Sequence, residues 1–297
     1  MALADGAFYY PTTKEYDRPE EYGLRFEDVT LPSTDGVTLH GWFFSAPSAV
    51  GTVVHCHGNA GNISAHFGFV SWLPTVGWNV LCFDYRGFGR STGKPTRRGT
   101  VDDAAAAIAY ARTREDVDPH RIFLLGQSIG GAIAVVVAAR CDHDLAGLCV
   151  EGAFASYRSE ARFVTRRTWY LWAVSSLISR YLISDLLAPI DYVAALPTIP
   201  KLFICGNADP IVDYRQTVEL YQAAPDPKDL WLIESSGHTE ALTGEIDGGR
   251  ERVLRFLVDS LHTRRRAKST TTITSSERHP DIIQTKGADR RPTEPRP

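Results

Sequence analysis

Residues 124–131 read Leu-Leu-Gly-Gln-Ser-Ile-Gly-Gly, a serine set between two glycines, with "RIFLLG" leading into it and "GAIAVVVAAR" following. The first run has the aliphatic content of a buried strand, and the second has the length and alanine content of a helix. A serine at that junction sits on a tight, strained strand-to-helix turn. Small residues are then required two positions to either side, because a side chain there would strike the neighbouring strand and helix. Gly126 and Gly130 meet the requirement, and Ser128 becomes the candidate nucleophile.

Outward from this junction, β-like and helical patterns alternate. "LRFEDVTL" and "VTLHGWFF", joined by "PSTDG", read as an antiparallel hairpin with Asp35-Gly36 as its turn signal. "VGTVVHC", "WNVLCF", "RIFLLG", "LAGLCV", "KLFICG" and "DLWLIE" follow as short runs of the kind buried on both faces. Helical patterns cover Ile63 to Leu73, Thr100 to Arg114, Ile129 to Arg140, Tyr214 to Ala223 and Arg250 to His262. The fold class expected is α/β, a mostly parallel eight-stranded sheet with helices on both faces. Between "LCVEGAFAS" and "KLFICG" lie about 45 residues rich in aromatic and aliphatic side chains, too many for a simple crossover. A small helical lid inserted at about residues 157–196 is expected there.

A nucleophilic serine needs an imidazole to take its proton and a carboxylate to orient that imidazole. In a doubly wound sheet both belong beyond the C-terminal ends of later strands. "KLFICGNADPIVD" offers Asp209, with Asp213 four residues on as an alternative, and "DLWLIESSGHTE" offers His238. The order Ser128, Asp209, His238 is that of an α/β-hydrolase and differs from the orders in two unrelated protease folds. Oxyanion donors are expected from the backbone N–H of Ile129, at a helix N-terminus, and of Asn59 in "HCHGNAGN", where Gly58 permits close approach.

"HGNAGN" (His57 to Asn62), "FDYRGFGRS" (Phe83 to Ser91), "GQSIGG" (Gly126 to Gly131), "GNADPIV" (Gly206 to Val212) and "SGHTE" (Ser236 to Glu240) together resemble the α/β-hydrolase superfamily. The first two look most like the branch of small serine hydrolases that holds the bud-emergence family and the protein depalmitoylases. The resemblance spans roughly Leu24 to Leu261. It implies the α/β-hydrolase fold, a triad of Ser128, Asp209 and His238, and a reaction that needs no metal or organic cofactor.

The remaining residues narrow the function. His55 and His57 flank Cys56, but no third ligand is apparent, and His57 reads better as a hydrogen-bonder that shapes its loop than as part of a metal site. Asp84, Arg86 and Ser91 read as braces of the turn after a central strand. Tyr85, Trp169 and Trp172 are candidate substrate-binding residues that favour an apolar acyl group. The expected substrate is a small-molecule acyl ester or thioester. An amidase or aminopeptidase-like reaction would call for an acidic lid group, for which Glu160, Asp185 and Asp191 are available. A non-catalytic membrane- or partner-binding protein is the reading from outside enzymology.

A formal charge of −3 and the lack of basic stripes interleaved with aromatics argue against a nucleic-acid partner. Five cysteines, four of them in apolar strand-like runs, suit a reducing compartment. With no secretory pattern in "MALADGAFYYPTTKEYDRPEEYG", cytoplasmic residence is the expectation. The most apolar run, Thr168 to Ser179, is shorter than the roughly 20 residues of a membrane span, which leaves only peripheral membrane contact open. From Thr263 onward, nine Lys/Arg face four Asp/Glu among many Ser, Thr and Pro, so a disordered basic tail of charge +5 is expected beside a body (residues 1–262) of −8.

Overall fold

The structure is a computed structural model that describes residues 8–140, 144–167, 169 and 172–276. The chain divides into two units, Met1–Leu261 and His262–Pro297. In the first, eight strands form one sheet: β1 (Glu27–Pro32), β2 (Thr38–Phe44), β3 (Gly51–Cys56), β4 (Trp78–Phe83), β5 (Ile122–Gln127), β6 (Gly147–Glu151), β7 (Lys201–Gly206) and β8 (Lys228–Ile233). Their spatial order is β1-β2-β4-β3-β5-β6-β7-β8, with β2 antiparallel to both neighbours and every pair from β4 to β8 parallel. The hairpin turn holds Asp35 and Gly36 at positive φ, the backbone state that the Asp-Gly pair tolerates best.

Alternate residues of each central strand enter one of two cores, as the period of two dictates. Val54, Leu124, Leu148 and Phe203 pack with residues of α2 (Arg97–Thr113), α3 (Ile129–Arg140) and α6 (Tyr214–Ala223). Val53, Phe123, Leu125, Leu202 and Ile204 pack instead with Phe67 and with Val253 and Leu257 of α7 (Gly249–Ser276). Covering both faces explains why β3 to β7 are buried along their whole length. β8 departs from the expectation of full burial because it is the sheet's edge.

Two helical expectations are corrected. The helix expected over Ile63 to Leu73 is only a four-residue turn, α1 (Ile63–His66), followed by 3-10 turns at Phe67–Phe69 and Leu73–Val76. Gly68 weakens the helix interior and Pro74 cannot continue it, so burial of Phe67, Val70 and Leu73 sets the path instead. At the other end, α7 runs on to Ser276, past His262, so residues 263–276 are helical where a disordered tail was expected. The rest of the tail, 277–297, lies outside the described residues.

Between β6 and β7 stand α4 (Tyr157–Arg167), a 3-10 turn at Trp172–Val174 and α5 (Ser175–Leu182), which pack on each other. Cys56, Cys82, Cys149 and Cys205 are buried free thiols.

Candidate active site

The junction between β5 and α3 is Ser128, at φ 55°. A β-carbon disfavours this left-handed state, and such strain persists only where the surroundings fix it. Here the Ser128 amide donates to the carbonyl of Glu151 at 2.8 Å, and the Ser128 carbonyl accepts from the amides of Gly131 and Ala132 at 3.0 and 3.2 Å. A Cβ on Gly126 would lie 2.4 Å from the Gly130 carbonyl oxygen, and one on Gly130 would lie 2.1 Å from that of Cys56. Neither obstacle is a side chain that could turn away. The glycines are therefore the steric condition for the elbow, and they press it against the loop that follows β3.

That loop carries Asn59, whose side-chain Oδ1 accepts from the amides of Tyr10 and Ala60 at 3.0 and 2.8 Å. Among the described residues, no protein acceptor meets the amides of Asn59 or Ile129, the two donors expected for an oxyanion. His57 is buried, and its Nδ1 donates to the carbonyl of Gly58 at 2.7 Å. Its ring packs on His66 and Tyr85, and burial holds the imidazole well below its ordinary pKa. His57 thus shapes the loop as a neutral ring. His55 bonds to Gln127 Oε1 at 3.0 Å and is likewise kept neutral by burial, with its pKa lowered to about 3.

Beyond β7, Asp209 Oδ1 accepts from the amides of Ile211 and Val212 at 2.7 and 3.0 Å, which fixes the carboxylate. Its Oδ2 accepts from His238 Nδ1 at 2.6 Å, so the proton sits on Nδ1 and Nε2 is left with its lone pair. The alternative carboxylate, Asp213, caps α6 instead, taking the amide of Arg215. The segment after β6 gathers the two halves. Glu151 holds the Ser128 amide, and the next residue, Gly152, lies against His238, where an added Cβ would be 3.2 Å from the ring carbon Cε1.

Glu151 does more than its place in the sequence suggested. Its carboxylate is buried, with Oε2 accepting from Gln127 Nε2 and Oε1 accepting from the amide of Ala241, both at 2.8 Å. Burial pushes this carboxyl up, and the two donors oppose the shift. Glu151 thereby ties the residue before Ser128 to the loop that bears His238. A lone carboxylate at a strand end has no spacing signature; only the parallel register Gln127↔Glu151 reveals the role.

The turn after β4 is braced as its residues implied. Asp84 Oδ1 accepts from the Ile63 amide at 2.8 Å, Ser91 Oγ donates to the Asp84 carbonyl at 2.7 Å, and Arg86 grips Asp103 with Nε and Nη2. Tyr85, expected at the substrate, is buried, and its hydroxyl donates to the His57 carbonyl at 3.3 Å. The ring supports the loop that carries Asn59. Trp169 is 82% exposed in the turn after α4, and Trp172 begins the 3-10 turn before α5.

The family model for serine aminopeptidases of the S33 type matches residues 47–191. The Escherichia coli (strain K12) protein YfhR is 38% identical over 267 residues, covering 88% of this chain and 89% of its own. The Arabidopsis thaliana α/β-hydrolase domain-containing protein WAV2 is 31% identical, covering 77% of this chain and 75% of its own. The chain belongs to the α/β-hydrolase superfamily. Within that superfamily it is of the bem46 type, the bem46 protein of Schizosaccharomyces pombe being 28% identical over 72% of this α/β-hydrolase and 71% of its own length. Among solved structures, the Pyrococcus furiosus esterase Pf2001 superposes with a TM-score of 0.70 at 20% identity, covering 85% of this α/β-hydrolase and 97% of the esterase, a likeness of fold.

Proposed function

We propose that this protein is a serine hydrolase that cleaves carboxylic esters or thioesters through an acyl-enzyme. Two observations carry the reading: the 2.6 Å bond from His238 to a carboxylate itself pinned by two amides, and a serine held at φ 55° on a glycine-flanked elbow. Ser128 Oγ attacks the acyl carbon and its proton passes to His238 Nε2, while Asp209 stabilises the imidazolium that forms. The amides of Asn59 and Ile129 bind the developing oxyanion, each contributing about 3–4 kcal/mol to the transition state. The tetrahedral adduct collapses, the bond to the leaving alcohol or thiol breaks, and His238 protonates that group. Water then repeats the sequence on the acyl-enzyme, and the carboxylic acid leaves.

The amidase reading draws support from the matched family model, which describes aminopeptidases. An aminopeptidase must hold the substrate's ammonium group, and two of the three acidic lid groups, Glu160 and Asp185, are poorly suited to that, while Asp191 is exposed. Glu160 is buried beneath Gln216, and burial raises its pKa to about 8. Asp185 is engaged by the amide and the guanidinium of Arg158. Ester or thioester cleavage is the better fit. Hydrolysis of p-nitrophenyl esters from acetate to palmitate, set beside aminoacyl anilides, tests the choice. Ester turnover lost in Ser128→Ala and absent anilide turnover are expected; anilide turnover faster than ester turnover would reverse the assignment.

A further inference from the structure

Helix α5 is turned the wrong way round for a helix packed on a core. Two of its three serines face inward, Ser175 at 2% and Ser179 at 6% exposure, while Leu177, Tyr181 and Leu182 stand 57%, 72% and 65% exposed. An amphipathic helix normally buries its apolar stripe, and a contiguous exposed stripe of this kind marks an interaction face. Val174, just before the helix and three residues from Leu177, extends the same stripe.

Beside the stripe, α4 and α5 enclose an open cleft of about 710 Å3 whose lining includes Arg158, Arg162, Arg166 and Arg180. Arg158 pairs with Asp185, but among the described residues no carboxylate pairs with Arg162, Arg166 or Arg180. Asp213 is the one carboxylate in the cleft's lining, and it pairs with Arg215, so the lid surface combines exposed leucine and tyrosine side chains with three guanidinium groups that no carboxylate pairs among the described residues. A second copy of the chain is a poor occupant, because an isologous contact would bring both sets of arginines together. A neutral apolar partner would leave the arginines unanswered. Among the described residues no helix is long and apolar enough to cross a membrane, so a surface that lies on a bilayer is the form of membrane contact that these helices allow.

We propose that the α4–α5 lid docks this protein onto anionic phospholipid bilayers. Leu177, Tyr181 and Leu182 enter the boundary between headgroups and acyl chains, and Arg162, Arg166 and Arg180 contact lipid phosphates and carboxylates. The proposal does not depend on the triad. Inactive Ser128→Ala should bind bilayers as the wild type does, so failure of the catalytic reading and failure of this one are separable.

The test is co-sedimentation of the full chain with vesicles of phosphatidylcholine alone and of phosphatidylcholine with 30% phosphatidylserine. An arginine near an anionic surface changes partitioning by about fivefold, so Arg162→Glu with Arg166→Glu should weaken binding to the anionic vesicles by more than about tenfold. Leu177→Ser with Tyr181→Ser should weaken it comparably, and wild-type binding should persist in part at high salt, since apolar insertion is not screened. Thermal melts and serine-probe labelling confirm that the variants are folded. Binding that is unchanged in both double variants and vanishes at high salt would assign it to the basic C-terminal residues and overturn the proposal. No binding to anionic vesicles by the folded wild type would overturn it too, as would a dimer abolished by Leu177→Ser with Tyr181→Ser in the absence of vesicle binding.

Discussion

Replacing Glu151 should separate the elbow from the histidine loop. In Glu151→Ala the side-chain amide of Gln127 and the backbone amide of Ala241 both lose their acceptor inside the protein. Each orphaned buried donor costs about 1–3 kcal/mol, so the variant should lose about 2–6 kcal/mol, a large share of a typical domain's stability. Activity should fall further than stability. Ala241 lies three residues beyond His238, and a displacement of about 1 Å at a catalytic group costs on the order of a hundredfold in rate. Glu151→Gln is the informative contrast. Its oxygen keeps the Ala241 amide, and its NH2 faces Gln127, which can rotate to present its own oxygen. The NH2 of Gln127 then meets His55 Nε2, which accepts once the His55 proton moves to Nδ1, 3.9 Å from Cys82 Sγ. The Gln variant should therefore lose only about 1 kcal/mol. Urea denaturation and kcat/KM on p-nitrophenyl acetate measure both effects. An Ala variant that loses less than about 1 kcal/mol, or that matches the Gln variant, would refute the reasoning.

Other perturbations follow from the same geometry. Glu160 has its folded pKa raised to about 8 by burial, with Asp209 and Asp213 adding to the shift, so its stabilising contribution is complete below the unfolded value of 4.5 and is lost as pH rises through about 8. Glu160→Gln should leave Tm nearly unchanged at pH 5 and raise it at pH 8.5, by up to roughly 4 kcal/mol of stability; equal shifts at the two pH values would contradict this. Asp209→Asn should cut kcat by about 10⁴ in a folded protein, whereas Asp213→Ala should remove a helix cap, costing about 0.5–2 kcal/mol with activity kept. Steady-state kinetics on the pair decides between the two carboxylates. Gly130→Ala should lower stability by at least about 1–3 kcal/mol and abolish turnover, because its methyl would meet two backbone carbonyls; a stable, active variant would contradict the steric argument.

Much of this was legible in the chain, and the illegible parts have physical reasons. The inner strands β3 to β7 announce themselves because burial on both faces demands unbroken apolar runs, and Gly126 and Gly130 announce the elbow because nothing larger fits. Spatial order is another matter. That β4 lies between β2 and β3 leaves no mark on periodicity. The apolar spacing of Ile63 to Leu73 looks helical, yet those side chains reach the core through short turns once Gly68 and Pro74 interrupt the pattern. Tyr85 and Glu151 show the limit most clearly. One supports a loop from beneath and the other joins two loops, and neither role is local in sequence. The stripe of Leu177 and Tyr181 has the spacing of a buried face and is turned outward, which periodicity alone cannot distinguish.

If Ser128 is an activated nucleophile, it reacts with a fluorophosphonate probe, and intact mass of the wild type beside Ser128→Ala and Asp209→Asn reads that reaction. One adduct per wild-type chain, none on Ser128→Ala, and strongly slowed labelling of Asp209→Asn are expected. A folded wild type that takes no label, or a Ser128→Ala variant that labels at the wild-type rate, would contradict an activated Ser128.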